Sequence, residues 1–378
     1  MTQDPASAPS PEESSDTQPE FEDSTAEQSE PLDLSRSDRK LVTQPYDFPV
    51  HSLSSDIESG RISLSIQYQR QYVWDAGKAS RLIESLLLNV PIPVCYFAEA
   101  EDGSYEVIDG LQRLTTINRF LEGQTKLSGL SALPELNGMA FSALEPRDQR
   151  RLQNRTIRCI VITEESDPDI KFDVFERLNT GAAVLNAQEL RNSVYRGEYN
   201  DSLKDLVSEP GVQTLLGLSR NTRMEAEEIA LRFFALRSSF MEYSPPLRQF
   251  LNSHMRSRRR IPLTSEERAV FVTTLEHVNA VFGQAPFRGN NSKNPINKAL
   301  FDALMVPMSR LVDAGQLEGK SATLRAGLDD LLATDGFAQS IGRATADRQR
   351  MFGRVRAVNA LLGENGVETS IAVPELEK

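Results

Sequence analysis

Long apolar runs and cysteines are both scarce in this sequence of 378 residues. No stretch approaches the roughly 20 apolar residues that a membrane-spanning helix needs, and the N-terminus does not have the basic-then-apolar pattern of a signal peptide. The only two cysteines, Cys95 and Cys159, lie in apolar, strand-like runs. That placement favours buried thiols in a reducing compartment over a disulfide framework. The simplest expectation is therefore a cytoplasmic protein.

Basic residues are absent from the first 35 positions, where ten acidic residues occur. This segment is rich in Pro, Ser and Glu, and it cannot bury enough apolar surface to offset the entropy of ordering it. We therefore predict a disordered acidic tail over residues 1–40. Without those ten acids the net charge of −12 falls to near −2, so the acidic composition does not exclude nucleic acid as a partner of the folded body.

Strand and helix patterns interleave from about residue 41 and give way to helical periodicity beyond about residue 200. Strands are predicted at 61–66, 94–100, 104–110 and 156–163. Helices are predicted at 77–89, 111–122, 169–178, 187–195, 224–243, 264–283, 296–314, 319–333 and 345–362. These patterns predict an α+β domain with a small mixed sheet over 41–200. An all-helical domain over 201–365 and a loose C-terminal tail over 366–378 would follow.

Polar residues cluster where one predicted strand meets a helix, in "YEVIDGLQRLTT". The strand would present Asp109 at the edge of the sheet, and Gly110 would permit a tight turn. The helix N-terminus would then direct free N–H groups toward the same space, and Arg113 could give two parallel hydrogen bonds to a phosphate. The pattern indicates an anion site, although it is not a Walker loop, because no Gly-x-x-x-x-Gly-Lys-Ser/Thr occurs in the chain.

Other side chains of this cluster could take part in the same site. Gln112 could position a water, and Thr115 or Thr116 could add a hydroxyl. The structural alternative is that Asp109 only caps the helix and Arg113 only pairs with a surface acid. The spacing alone does not decide between the two interpretations.

A second cluster, "IQYQRQYVWD", combines aromatic residues with Gln69 and Arg70. The aromatic side chains could stack on a base while Arg70 holds a phosphate. Alternatively, Tyr68, Tyr72 and Trp74 are core anchors and Asp75 caps the helix at 77–89.

A third cluster reads "FDVFERLNTGAAVLNAQELRN". Asn186 followed three residues later by Glu189 is a capping-box pattern that opens a helix. That structural interpretation leaves Arg177, Asn179 and Arg191 unexplained.

In order and spacing, the three clusters resemble the family of the N-terminal (S-subunit) domain of GmrSD-type modification-dependent restriction enzymes, over roughly residues 45–250. The resemblance implies a fold similar to ParB and sulfiredoxin. It also implies nucleotide binding and hydrolysis coupled to the sensing of modified DNA in anti-phage defence, with an NTP and Mg²⁺ as the expected cofactors. The family's central motif is usually Asp-Gly-Gln-Gln-Arg, and Leu111 replaces its first Gln here.

Histidine is also scarce, and this bears on the family's nuclease activity. Many relatives carry a fused nuclease domain whose metal site needs a histidine base with Asn or His ligands. This chain has only His51, His254 and His277, which are far apart in the sequence. We therefore assign no metal ligands and expect cleavage to come from a separate nuclease subunit.

Two basic runs could follow a DNA backbone. Arg147, Arg151 and Arg155 would share one helical face, and Arg258 and Arg259 lie in "HMRSRRR". The alternative is that both runs are ordinary solvated surface.

The sequence thus predicts a nucleotide-dependent DNA-sensing subunit. Asp109 would orient a free or metal-bound water, Gln112 would position it, and Arg113 would hold the phosphate. The predicted nucleotide-binding residues are Gln69, Arg70, Gly110, Thr115, Arg177 and Asn179, and the predicted DNA-binding residues are Arg147, Arg151, Arg155, Arg258 and Arg259. The expected partners are DNA and the nuclease subunit, and self-association is left open. Two rival interpretations are a ParB-like nuclease that uses the same residues and a non-catalytic DNA-binding adaptor with a degenerate nucleotide pocket.

Overall fold

The structure is a computed structural model that describes residues 40–64, 72–178, 185–218, 221, 223–283, 285–289 and 294–373. The acidic tail predicted over residues 1–40 therefore lies outside the described residues, apart from Lys40. None of the described helices is long and apolar enough to cross a membrane.

The described strands form one small mixed sheet. They are β1 (Thr43–Pro49), β2 (Ile62–Ser63), β3 (Cys95–Glu99), β4 (Tyr105–Asp109) and β5 (Thr156–Ile162). Their order across the sheet is β1-β5-β3-β4-β2. The β1–β5 and β3–β4 pairs are antiparallel, whereas β3–β5 and β2–β4 are parallel. The α+β class with a small mixed sheet is confirmed.

Helices surround the sheet and then continue alone. Those of the first part are α1 (Val50–Glu58), α2 (Ala76–Leu88), α3 (Leu111–Leu121), α4 (Pro146–Gln153), α5 (Pro168–Leu178) and α6 (Ala187–Val194). Those of the second part are α7 (Glu198–Ser208), α8 (Pro210–Leu216), α9 (Glu225–Ser239), α10 (Leu247–Arg258), α11 (Ser265–Phe282), α12 (Lys298–Met308), α13 (Ser321–Ala333), α14 (Asp335–Gly342) and α15 (Arg348–Glu364). After β5, the described residues form helices and loops, with one isolated β-bridge between Leu311 and Thr369.

Alternate residues of the central strands point to opposite faces of the sheet, as strand geometry requires. Phe97 and Val107 belong to one buried cluster, together with side chains of α1, α2, α3 and α4. Ala98 and Ile108 belong to a second cluster, with Phe172 of α5 and the helices that follow. Helices α2 and α5 therefore cover opposite faces of the sheet.

The two cysteines lie at paired positions of β3 and β5. Both Cys95 and Cys159 are buried free thiols. The prediction of buried thiols instead of a disulfide framework is confirmed.

Two predicted boundaries need correction. The domain end at residue 200 falls inside α7, whose Tyr199 and Leu203 are both buried in the helical core. The tail predicted to be loose from residue 366 packs on the body as far as the structure describes it. Val367 is buried, and the Ser370 N–H donates to the Arg310 carbonyl at 2.7 Å.

Candidate functional site

A cleft of about 490 Å³ opens where β4 ends, between α2, the segment before β3, and α3. Its lining residues are Trp74, Lys78, Arg81, Leu82, Ser85, Pro91, Ile92, Pro93, Asp109 and Arg113. The cleft is shallow and widely open to solvent. The lining carries three cationic side chains and one carboxylate, so the cleft favours an anionic ligand.

Gly110 makes the turn that joins β4 to α3. Its φ of +104° is unfavourable for residues with a Cβ atom. A Cβ atom built there would lie 2.5 Å from Cys95 Sγ, which is far too close for a carbon–sulfur contact. The predicted tight turn is therefore present, and it places Asp109 beside the first turn of α3.

The Arg113 guanidinium group is hydrogen-bonded to acceptors within the protein. Its Nη2 donates to Asp109 Oδ2 at 2.7 Å and to the Val94 carbonyl at 3.3 Å, while Nη1 donates to the Pro93 carbonyl. The Arg113 side chain is 11% exposed, whereas that of Asp109 is 36% exposed. Arg113 thus orients the carboxylate and fixes the segment before β3, and its terminal nitrogens are not free to grip a phosphate as predicted.

The alternative in which Asp109 caps α3 is wrong. The N-cap residue is Gly110, and no side chain caps the helix. The alternative pairing of Arg113 is correct in kind, because it does pair with an acid, but that acid is Asp109 in the cleft and not one on the outer surface.

Helix α3 also anchors the segment that carries Trp74. The Val73 N–H donates to Gln112 Oε1 at 3.0 Å, and the hydroxyls of Tyr72 and Thr116 lie 2.8 Å apart. The Gln112 oxygen is therefore already used in holding the backbone at Val73. Trp74 is half-buried against the core and lines the cleft as well.

Thr115 lies one residue before Thr116 on α3. Its side chain is half-buried, and it is not among the residues that line the cleft.

Two cations of α2, Lys78 and Arg81, face the cleft and were missed by sequence reasoning. Asp75 caps this helix by accepting from the Lys78 N–H at 2.8 Å, which confirms the capping prediction. That hydrogen bond is the main reason why the pKa of Asp75 is lowered from its usual value. With Leu82 and Ser85, the two cations form a stripe at spacings of three, four and seven residues. This stripe borders the predicted apolar face of the helix. It was the only sequence signal that could have indicated Lys78 and Arg81 as cleft residues.

The remaining predicted nucleotide-binding residues do not join the cleft in the described structure. Gln69, Arg70 and Asn179 lie outside the described residues. Arg177 is described, and its side chain is 73% exposed and pairs with Asp173 on the same helix at 2.9 Å. Because α5 covers the opposite face of the sheet from α2, the prediction that Arg177 completes the pocket is wrong for this structure.

The third cluster is mainly structural. Asn186 and Glu189 form the predicted capping box at the start of α6. Arg191 is buried and donates to Asn252 Oδ1 at 2.9 Å and to Gln188 Oε1 at 3.1 Å. Burial lowers the pKa of Arg191 to about 10. Its polar protein partners account for the buried arginine, so no bound ligand is needed to explain it.

The first predicted DNA-binding run is only partly available. Arg147 and Arg151 are exposed on α4. The helix ends at Gln153, so Arg155 does not share their face as predicted. Its Nε donates to the Leu86 carbonyl at 2.7 Å, and it thereby satisfies the C-terminal end of α2.

The second predicted DNA-binding run is held by the protein itself. Arg258 binds both carboxylate oxygens of Glu267, at 2.6 and 2.9 Å. Arg259 donates through Nε to the Arg196 carbonyl at 2.7 Å and pairs with Glu101 at 3.0 Å. Their guanidinium groups have structural partners, so the free basic surface predicted here is not observed for these two residues.

Metal binding has one candidate ligand in the cleft. Among the described residues, no group of three or more His, Cys, Asp or Glu side chains could hold a metal ion. Mg²⁺, however, is commonly held by one or two carboxylates together with substrate phosphates. The partly exposed Asp109 carboxylate fits that mode of binding.

The residues of this cleft all lie in the part of the chain that is similar to a known protein family. No curated protein matches the chain. Residues 50–196 match the family model described as "GmrSD restriction endonuclease, N-terminal domain", and this range contains every residue that lines the cleft. The resemblance seen in the three sequence clusters is therefore confirmed for residues 50–196, which are similar to the N-terminal domain of GmrSD restriction endonucleases.

Proposed function

We propose that this chain is the nucleotide-binding, nucleotide-hydrolysing and DNA-sensing subunit of a modification-dependent restriction system, acting with a separate nuclease. The family supports a component of a restriction system that interacts with DNA. The observation that carries the nucleotide assignment is the cleft at the end of β4, where one partly exposed carboxylate lies among three cations. We extend the proposal to a ParB- and sulfiredoxin-like fold, for which the small mixed sheet with helices on both faces is the support.

In this proposal Asp109 acts on the attacking water. Arg113 binds Oδ2 of the carboxylate, which fixes the orientation of the group and leaves Oδ1 for the water or for Mg²⁺. Bound Mg²⁺ would neutralise phosphate charge and make the water more acidic. Such positioning and charge neutralisation supply most of the catalysis in phosphoryl transfer.

The departure at Leu111 is compatible with hydrolysis. Leu111 is 8% exposed and belongs to the buried cluster that packs on the sheet. A side chain at this position faces the core and not the cleft. The replacement of the usual Gln by Leu therefore changes packing, and the polar groups around Asp109 are retained.

A non-catalytic adaptor remains the second candidate. One observation favours it, namely that both terminal nitrogens of Arg113 are occupied by protein acceptors. An adaptor would bind nucleotide or DNA without turnover.

Phosphate release from each NTP, with Mg²⁺ and with or without modified DNA, tests the proposal. We expect Asp109→Asn to abolish release while preserving most of the nucleotide affinity, because the amide cannot activate water. Asp148→Asn on α4 is the matched control and should behave as the wild type. Nucleotide binding without release by the wild type would favour the adaptor. Plasmid nicking by the chain alone, abolished by Asp109→Asn, would favour the ParB-like nuclease.

A further inference from the structure

We propose that Lys78 and Arg81 of α2 are the residues that bind the phosphate groups of the anionic ligand, and that Lys78 leaves the ring of Trp74 to do so. The inference rests on the proposed function for the identity of the ligand as a nucleoside triphosphate. The claim about anion binding itself applies to any oligophosphate that enters the cleft.

The three cations in the cleft differ in their exposure and in their protein partners, and these differences separate Lys78 and Arg81 from Arg113. Arg113 is nearly buried and gives its terminal nitrogens to Asp109 and to two carbonyls. Lys78 and Arg81 are exposed. In the described part of the chain, neither of them forms an ion pair with an acidic side chain. They are therefore the cations that can reach a ligand without breaking a protein contact of comparable strength.

The chemistry of the pair suits a chain of phosphates. Lys78 and Arg81 lie three residues apart on α2, so their side chains leave the helix on the same side. The Arg81 guanidinium can bind two oxygens of one phosphate group, while Lys78 supplies a compact charge for a neighbouring group. The Asp109 carboxylate lies across the cleft on β4 and repels the ligand toward α2 unless a divalent cation intervenes.

The movement of Lys78 follows from its present contact. Its Nζ lies 4.8 Å from the centroid of the Trp74 ring, a cation–π geometry. A charge-assisted hydrogen bond to phosphate is stronger than such a contact at an exposed site. Entry of a phosphate should therefore draw the ammonium group away from the indole.

Trp74 makes this movement observable, because it is the only tryptophan in the sequence. With excitation that is selective for tryptophan over the eight tyrosines, its fluorescence reports on the cleft alone. Tripolyphosphate is a suitable probe, since it carries no aromatic base that could quench the indole by stacking. Binding of tripolyphosphate should produce a saturable change in Trp74 emission in the full-length chain.

Affinities should be measured by calorimetry for the wild type, Lys78→Gln, Arg81→Gln and the double variant, with tripolyphosphate and a non-hydrolysable NTP analogue. Each single substitution should weaken binding roughly tenfold or more, the scale of one charged hydrogen bond. Lys126→Gln, an exposed lysine of the same domain that does not line the cleft, should leave both affinities unchanged. The melting temperature of each variant shows that the fold is intact.

The outcomes separate this inference from the proposed hydrolysis. Binding of tripolyphosphate that depends on Lys78 and Arg81, without release of phosphate from any NTP, would support this inference and reject the proposed function. If the wild type hydrolyses NTP and both single variants keep the wild-type affinities, the proposed function is supported and this inference is rejected. A wild type that binds neither probe overturns the inference, and calorimetric binding without a change in Trp74 emission overturns the movement of Lys78.

Discussion

Gly110 shows how a single position shapes the cleft. Its positive φ is needed for the chain to turn from β4 into α3, and its missing Cβ allows Cys95 to pack beneath the turn. The glycine therefore joins the core to the site, because the same turn sets the distance between Asp109 and Arg113. In the motif's Asp-Gly pair, backbone geometry explains the glycine, and the carboxylate in the cleft explains the aspartate.

Gly110→Ala should lower the free energy of unfolding by about 2–4 kcal/mol, from left-handed strain together with overpacking against Cys95. Gly103→Ala is the matched control, because Gly103 also has a positive φ, of +76°, but has no atom within 4 Å of the added Cβ. It should lose only the strain contribution, about 1–2 kcal/mol. Urea unfolding of the two variants measures the difference, and equal losses would show that the contact with Cys95 is easily relieved.

At the scale of elements, α10 is fixed on α7 through a half-buried histidine, His254. His254 Nε2 lies 2.9 Å from the Tyr199 hydroxyl, and Arg258 stacks on the same tyrosine ring at 5.0 Å. Burial, helped by the charge of Arg258, lowers the pKa of His254 to about 4. The imidazole is therefore neutral at pH 7, and its Nε2 shares a hydrogen bond with the Tyr199 hydroxyl.

This pKa shift predicts a loss of stability in weak acid. In the unfolded chain His254 should titrate near 6.5, so between about pH 6.5 and 4 the unfolded state binds more protons than the folded state. The contribution of the neutral His254 to the free energy of unfolding is fully present above about pH 6.5. It should fall by about 1–2 kcal/mol on going to pH 5. Urea unfolding across this range measures the effect. His254→Gln should remove this part of the pH dependence, while His51→Gln, at an exposed position, should leave it in place.

How well the sequence predicted each element depended on how local its signal was. Helices with a capping residue, such as α2 with Asp75 and α6 with Asn186, were found within one or two residues of their observed bounds. Strand β1 was missed because Pro45 and Pro49 interrupt its pattern, which is tolerated only because β1 is an edge strand paired on one side. Helix α1 follows directly at Val50, without a side-chain cap to mark its start.

The site was predictable where it depended on the turn and not where it depended on tertiary contacts. The position of Asp109 followed from the strand and the glycine. The partners of Arg113 include the carbonyls of Pro93 and Val94, which are 20 and 19 residues away in sequence, and no local pattern could indicate them. Lys78 was missed because an exposed lysine on an amphipathic helix is usually ordinary surface.

At the scale of the whole molecule, arginine serves mainly as a structural residue. Asp302 is buried in the helical part and accepts from Arg232 at 2.5 Å and from Arg354 at 3.3 Å. Removing one partner of such a buried group leaves an uncompensated charge, so this network constrains how α9, α12 and α15 pack. A count of basic residues along the chain therefore overestimates the charge that is available to DNA.

DNA binding, if α4 provides a phosphate contact surface, should depend on Arg147 and Arg151 alone among the arginines first assigned to DNA. Both are exposed on α4, whereas Arg155 caps α2. The double substitution Arg147→Gln and Arg151→Gln should reduce the slope of log affinity against log salt by up to about 1.8, at about 0.9 for each lost phosphate contact.

Adding Arg155→Gln should not reduce the salt slope further, but it should lower the melting temperature, because the carbonyl of Leu86 loses its donor. Basal phosphate release should persist in the double variant, since α4 does not line the cleft, while any stimulation by DNA should decline. The charge-matched control is Arg61→Gln with Lys126→Gln, which removes two exposed cations elsewhere in the same domain. If the double variant and this control change the slope equally, Arg147 and Arg151 are solvated surface and the DNA contact lies elsewhere on the molecule.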